Sequence, residues 1–235
     1  LINGLYKPEQ LQDELRVIQR QSEHLKRLIN DVLDLSKIEA NRLELNISCF
    51  DVVKLINDIH AMFSPQTKAK GLSLVLDCQL EKSYFTRLDL TRVKQILINL
   101  CANAIKFTHK GQVTIGVSKT EQGLLFSIKD TGIGMSSSQL KLIFECFSQA
   151  DNSISRRFGG TGLGLSLSQQ LAAMMGGYIS VQSEFKKGSE FSFYLPCIQV
   201  EEQVCHDDQQ AKSDERHRLL SGKVVLAEDH SDNRK

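Results

Sequence analysis

No excess of either charge marks this sequence. Its net charge is +1, so no overall field draws it to nucleic acid or to an acidic membrane surface. No run approaches the roughly 18 apolar residues needed to span a bilayer, and no signal peptide opens the chain. Leu1 rather than Met stands first, and the expectation is a piece of a longer chain, with any membrane segments outside it. Six cysteines are scattered at positions 49, 78, 101, 146, 197 and 205, none in a C-x-x-C pair, and no histidine pair has zinc spacing. They read as reduced thiols packed as small apolar side chains. Two nucleotide fingerprints are missing as well. Gly160-Thr161-Gly162-Leu163-Gly164 fails G-x-G-x-x-G at its last position, and G-x-x-x-x-G-K-[ST] occurs nowhere. What is present is 41% hydrophobic and 24% charged residues over 235 positions, a globular composition with room for one ordinary domain plus appendages.

Against that background two glycine clusters stand out: Asp130-Thr131-Gly132-Ile133-Gly134 and Gly159-Gly160-Thr161-Gly162-Leu163-Gly164. Glycine lets backbone approach a ligand closely, and two such clusters suggest two pieces of backbone folding over one bound group. The second runs into Leu165-Ser166-Leu167-Ser168-Gln169-Gln170-Leu171, which reads as a helix. A glycine turn feeding a helix N-terminus offers free N–H groups and a favourable dipole to an anion, phosphate above all.

Residues 10–40 read as one long helix. Leu11, Ile18, Leu25 and Val32 fall seven apart, Leu15, Ser22, Ile29 and Ser36 form a second row, and Leu28, Leu33 and Leu35 widen the apolar face. Such a helix needs a bundle or a dimer. A second helix is expected from Phe50-Asp51 to about Lys70, with Asp51 as N-cap and Gly71 as its end. A strand follows at Leu72–Leu76. Asp89 is placed to cap a helix through Phe107, and 113–117 and 124–128 read as a hairpin turning at Glu121-Gln122-Gly123. Then come a helix near 138–146, a polar loop over 148–160 with Arg156 and Arg157, a helix at 163–175, and strands at 178–184 and 189–195. Residues 199–221 read as a linker, and Lys223–Asp229 as a new strand ending in two acids.

On the helix from Asp89 to Phe107, Val93, Leu97, Leu100, Ala104 and Phe107 form an apolar stripe. Gln95, Asn99, Asn103 and Lys106 share another face. Such a polar row also fits a solvated face. Beside two glycine turns it takes a sharper meaning: an Asn oxygen is a hard neutral ligand for magnesium, which keeps few protein ligands beside phosphate oxygens, and a lysine suits phosphate charge.

Asn99–Thr108 resembles the N box of sensor histidine kinases. Asp130–Gly134 resembles their G1 box, Phe144-Glu145-Cys146-Phe147 their F box and Gly160–Leu165 their G2 box. Leu28–Ala40 is similar to the second helix of the dimerisation domain in hybrid kinases, and 223–235 to the opening of a receiver domain. The resemblance implies an α/β (α+β) sandwich of Bergerat type, a mixed sheet covered on one face by helices. It divides the chain into a partial dimerisation region (1–47), a catalytic ATP-binding domain (48–198), a linker (199–221) and a truncated receiver (222–235). It implies that Asp130 accepts a hydrogen bond from the adenine amino group while Gly132 and Gly134 let backbone pass the base. Asn103 would hold Mg2+, Lys106 meet the phosphates and Phe107 lie against the nucleotide. Residues 148–161 would form a lid, with Arg156 or Arg157 on the triphosphate and Gly160, Thr161, Gly162, Leu163 and Gly164 lining the site. Asn99 and Lys106 would orient and stabilise the transfer. Phe144 and Phe147 fit a core role equally well. ATP, a histidine-bearing dimerisation helix, a response-regulator receiver domain and a second copy of the full-length protein are the implied partners, with no nucleic acid. The implied location is the cytoplasmic portion of a bacterial sensor, with membrane anchoring of the full-length protein left open.

One departure qualifies the match. Family kinases phosphorylate a histidine in a motif like His-Glu-x-x-x-Pro, and none of His24, His60, His109, His206, His217 and His230 fits it. The receiver portion keeps its acid pair, Glu228 and Asp229, without a later phosphoryl-accepting aspartate. The chief expectation is transfer of the γ-phosphoryl of ATP to a histidine. The alternative is a non-catalytic module that binds nucleotide and partner. A gyrase- or chaperone-type ATPase is a third reading, which Asn99 disfavours because those families use a Glu there to activate water.

Overall fold

A computed structural model describes residues 8–145, 162–203 and 205. The chain opens with one long helix, α1 (Pro8–Glu39). A short strand β1 (Ser48–Asp51) leads into α2 (Val52–Ala69), followed by β2 (Ser73–Cys78) and β3 (Phe85–Leu88). Then come α3 (Leu90–Phe107), the hairpin β4 (Gln112–Lys119) and β5 (Gly123–Asp130), and the short helix α4 (Ser137–Leu142). Helix α5 (Gly164–Met174) precedes the hairpin β6 (Tyr178–Glu184) and β7 (Gly188–Pro196), and β8 (Gln199–Val200) is the last strand.

Five strands form a mixed sheet in the order β2-β4-β5-β7-β6, parallel between β2 and β4 and antiparallel elsewhere. Alternation along the strands decides which face is covered. Val113, Ile115 and Val117 on β4, Leu124, Phe126 and Ile128 on β5, and Phe191, Phe193 and Leu195 on β7 are all buried. They face Val93, Ile96, Leu97, Leu100, Cys101 and Ile105 of α3, and Leu167 and Leu171 of α5, in one continuous core. This is the sandwich expected from the sequence.

A second sheet of three strands, β1-β3-β8, lies outside that plan. Asp51 caps α2 as expected, with Phe50-Asp51 at its opening, but no strand was expected at 48–51 or 85–88, and 199 onward was expected to be linker. Instead Ser48–Asp51 pairs with Phe85–Leu88, and Gln199–Val200 adds to the other edge of β3. These strands are too short to show a period of their own and exist through long-range pairing. The cysteine reading changes here too. Cys49 and Cys205 are joined as a disulfide across 156 residues of sequence, their Cα atoms 5.1 Å apart, whereas Cys78, Cys101 and Cys197 are free thiols. Sequence spacing cannot reveal such a pairing; geometry does. The helix expected near 138–146 runs from Ser137 to Leu142: a Ser136–Gln139 capping box fixes its start, and the chain turns at Ile143 and Phe144. Phe107, expected in the apolar stripe of α3, is only half-buried at its last turn.

Much of α1 is uncovered: Leu15, Ile18, Leu25, Ile29 and Val32 are exposed, as the heptad reading required for a helix awaiting company. Only toward its end do Leu35 and Ile38 meet the domain. Among the described residues no helix is long and apolar enough to cross a membrane.

Two aspartates each cap a helix and tie down a distant segment. Asp51 accepts from Val53 N at 2.9 Å and Tyr84 N at 3.1 Å. Asp89 accepts from Arg92 N at 3.0 Å and Asn46 N at 2.8 Å, and is buried. Asp89→Ala removes a cap and orphans a second donor, so it should destabilise by about 2–4 kcal/mol. Urea denaturation measures this; Asp89→Asn, which keeps an accepting oxygen, should recover part of the loss.

Candidate functional site

The site forms where α3 ends beside the end of β5. Asp89 fixes the start of α3, and the heptad-like burial of Val93, Leu97, Leu100 and Ala104 against the sheet fixes its rotation. Gln95, Asn99, Asn103 and Lys106 are then half-exposed on the opposite side, in one row. Thr108 ends the helix, its N–H donating to Ala104 O at 3.1 Å.

Asp130 is the last residue of β5, and its carboxyl is buried. Gly132 N donates to its Oδ1 at 2.8 Å. Burial pushes its pKa above the ordinary 3.8, with the N–H groups of Gly132 and Ser189 pulling the other way. Two donors leave further lone pairs on the carboxylate, which can only accept when ionised. The backbone around it is closely stacked. A Cβ on Gly132 would lie 2.5 Å from the Phe107 carbonyl oxygen, and one on Gly188, at φ +111°, would run into the Asp130 carbonyl. Ile133 N donates to Phe107 O at 3.3 Å and Lys186 N to Ile133 O at 2.7 Å, so α3 and the β6–β7 turn hold this loop from both sides. Gly134 turns with φ +60°, and Met135 N donates to Ser183 Oγ at 2.8 Å.

Lys106 Nζ sits 4.9 Å from the centroid of the Phe107 ring, and burial lowers its pKa. Asn99 Nδ2 donates to Ser168 Oγ at 2.9 Å, and Ser168 Oγ donates to Gly164 O at 2.8 Å. A Cβ on Gly164 would approach Asn99 Oδ1 to 2.5 Å, so the start of α5 is seated on Asn99. Leu163 is buried and Gly162 has φ +71°. The N-terminal turn of α5 thus meets the polar face of α3.

The structure therefore brings Asn99 together with Gly164 and Ser168, and Phe107 together with Gly132 and, through Gly132, with Asp130; Lys106 lies over the Phe107 ring. Asn103 lies on α3 between the two groups, one turn from each of Asn99 and Lys106. Cys146, Phe147, Arg156, Arg157, Gly159, Gly160, Thr161 and the expected lid at 148–161 lie outside the described residues. Phe144 is half-buried and packs against the core. The sequence missed Ser168 and Gly188. Gly188 was legible only as a turn residue after Lys186-Lys187, and nothing marked Ser168 apart from its helix. Among the described residues no three His, Cys, Asp or Glu side chains converge on a metal position. An ion here would rest on amide oxygen and on the ligand's own oxygens, which suits magnesium rather than a metal caged by protein.

This geometry, a carboxylate at a strand end, a glycine loop laid on a helix carbonyl and a second helix start against an asparagine, sits in a fold that similarity to known proteins identifies as that of an ATPase family. Residues 88–199 match the family model described as histidine kinase-, DNA gyrase B-, and HSP90-like ATPase, and residues 2–41 that of the His Kinase A (phospho-acceptor) domain. The sensor histidine kinase GacS of Pseudomonas protegens is 43% identical over 196 residues, 80% of this chain and 21% of that protein. The hybrid signal transduction histidine kinase B of Dictyostelium discoideum is 40% identical over 188 residues, 78% of this chain and 10% of that protein. Among solved structures, full-length ShkA in complex with AMPPNP superposes with a TM-score of 0.71 at 32% identity, covering 84% of this chain and 41% of that one. The chain belongs to the sensor histidine kinases. It spans between a tenth and a quarter of the length of the first of these curated relatives.

The raised pKa of Asp130 has a sign. The folded state binds this proton more tightly than the unfolded state, so the stability it contributes is full below the ordinary carboxyl range and is lost as pH rises through the raised value. Asp130→Asn keeps an accepting oxygen and removes the titration. Thermal melts across pH 3 to 8 (roughly the carboxyl range and above) should show the variant gaining on the parent as pH rises; a constant difference refutes the assignment.

Proposed function

We propose that this chain is the ATP-binding catalytic region of a two-component sensor kinase, transferring the γ-phosphoryl of ATP to a histidine on a dimerisation helix. The single observation that supports this most is the buried Asp130 carboxyl, held by Gly132 beside the end of α3 with acceptor capacity to spare. That carboxylate accepts from the exocyclic amine of adenine, which guanine does not offer in that place. Gly132 and Gly134 keep the loop thin enough for the base to lie beside it, and Phe107 gives it an apolar wall.

Lys106 faces the phosphates as a cation. Asn103 would hold Mg2+, whose chemistry when bound would be to neutralise charge on the transferring group. Asn99 orients the start of α5 by its bond to Ser168, so Gly162, Leu163 and Gly164 present N–H groups toward the phosphates. The family resemblance also assigns Gly160, Thr161, Arg156 and Arg157, which lie outside the described residues, to the triphosphate. Asn99 has no carboxylate to deprotonate water, which favours transfer to a histidine over hydrolysis. Catalysis is then positioning plus charge stabilisation, as phosphoryl transfer generally is. The acceptor histidine stands on a partner helix, and a response-regulator receiver domain takes the phosphoryl next. The exposed seam of α1 supports a homodimer of the full-length protein, with this region in the cytoplasm. Because no His-Glu-x-x-x-Pro motif occurs here, the chain by itself binds ATP without phosphorylating itself.

Calorimetry tests the binding half. Asp130→Ala loses a hydrogen bond to a charged group, about 1.5–3 kcal/mol, and so should weaken ATP roughly 10- to 100-fold. Asn103→Ala should weaken ATP only when magnesium is present. Unchanged affinity in both variants rejects the site. Radiolabelled ATP tests the transfer half: acid-labile label should appear on an added helix carrying His-Glu-x-x-x-Pro, and label on any of the six histidines of the chain alone refutes the reading.

A further inference from the structure

The α1 helix touches the domain through more than its apolar end. Arg92 Nη1 donates to Asp34 Oδ2 at 2.7 Å and Nη2 to Asp34 Oδ1 at 3.3 Å. Gln95 Nε2 donates to Asp34 Oδ2 at 3.3 Å, and Arg92 Nη1 also donates to Gln95 Oε1 at 2.8 Å. The three side chains form a closed triangle in which each is bonded to both others. Asp34 and Arg92 are 16% and 20% exposed, so water screens the pair far less than a surface pair. The guanidinium makes a two-pronged bond, which fixes direction as well as distance.

Position explains why this triangle matters. Arg92 stands in the first turn of α3, which contains no acidic residue. A cation there opposes the helix dipole; Asp89 already caps this end, and the Asp34 carboxylate offsets the guanidinium charge from another element. Asp34 also lies where α1 leaves the domain: Leu35 and Ile38 beyond it are covered, and Ile29, Val32 and Leu33 before it are exposed. Gln95 is one helical turn from Asn99 on the same face, and Asn99 seats the start of α5. The contact therefore joins α1 to the helix that carries the polar row of the site.

We propose that Asp34, with Arg92 and Gln95, is a positioning clamp that holds the ATP face of α3 at one station along the dimerisation helix. This rests on the kinase reading for its purpose but not for its test. None of the three touches nucleotide; they act by setting where Asn99, Asn103 and Lys106 stand relative to α1. Releasing the clamp frees the domain to turn about residues 40–47 while its nucleotide site stays intact.

The test uses the whole chain with spin labels on non-natural residues at Lys26 of α1 and Lys54 of α2, both exposed. Distance distributions by pulsed electron resonance and ATP affinity by calorimetry are measured on the same samples. The parent should give one narrow distance. Asp34→Asn should at least double the width of the distribution, with ATP affinity changed less than about threefold. Arg92→Lys, which keeps the charge and loses the second prong, should broaden it partly. The exchanged pair Asp34→Arg with Arg92→Asp should restore the narrow distribution, which a mere packing role would not. A narrow distribution in Asp34→Asn and Arg92→Lys alike overturns the clamp, as does failure of the exchanged pair to narrow it. If the parent itself binds no ATP, the kinase reading fails, and the distances still decide the clamp.

Discussion

The site depends on one close approach: the loop after β5 lies against the carbonyl that ends α3, at a separation only glycine permits. Gly132 presses on Phe107 O, Ile133 N donates to that same oxygen, and Asp130 turns its carboxyl back to Gly132 N. Strand end and helix end are thereby one rigid corner. The buried carboxyl is tolerated because backbone N–H groups meet it, and the corner is held from the far side by the β6–β7 turn through Gly188 and Lys186. Everything else in the domain serves to deliver these two ends to the same place. The packed face of α3 fixes its rotation, Asp89 its start, and the register of β5 with β4 and β7 the position of its last residue.

The sequence was most legible where chemistry is local. The N-caps Asp51 and Asp89, the period of α3, and the β4–β5 and β6–β7 hairpins all follow from neighbours within a few residues. The candidate site residues were proposed from motifs of the same local kind, runs of a few positions each. What stayed hidden is non-local. The sheet β1-β3-β8 pairs Phe85 with Val200 and Ser48 with Leu88, and its strands carry too few residues to declare themselves. The Cys49–Cys205 bond spans 156 positions. The Asp34–Arg92–Gln95 triangle joins residues that look like ordinary polar positions on two separate helices.

The uneven cover on α1 expresses a division of labour. Its last turns are welded to the domain by Leu35, Ile38 and the polar triangle, and its earlier turns leave an apolar seam in solvent. An amphipathic helix stripped of its partner keeps little intrinsic stability. The welded end thus anchors a segment whose earlier turns the domain itself does not cover.

The small sheet also sets how mechanical load crosses the molecule. Strand β3 is its centre, β1 receives the chain from α1, and β8 carries it onward. Both outer strands run antiparallel to β3 and so point the same way. Traction between α1 and the C-terminal tail therefore shears β1 and β8 along β3, loading several hydrogen bonds at once instead of peeling them singly. The covalent bond from Cys49 to Cys205 short-circuits even that route. The bonds of Asp34 to Arg92 and Gln95 open a second route, so part of any load on α1 reaches the first turns of α3 directly, upstream of Asn99 and Asn103.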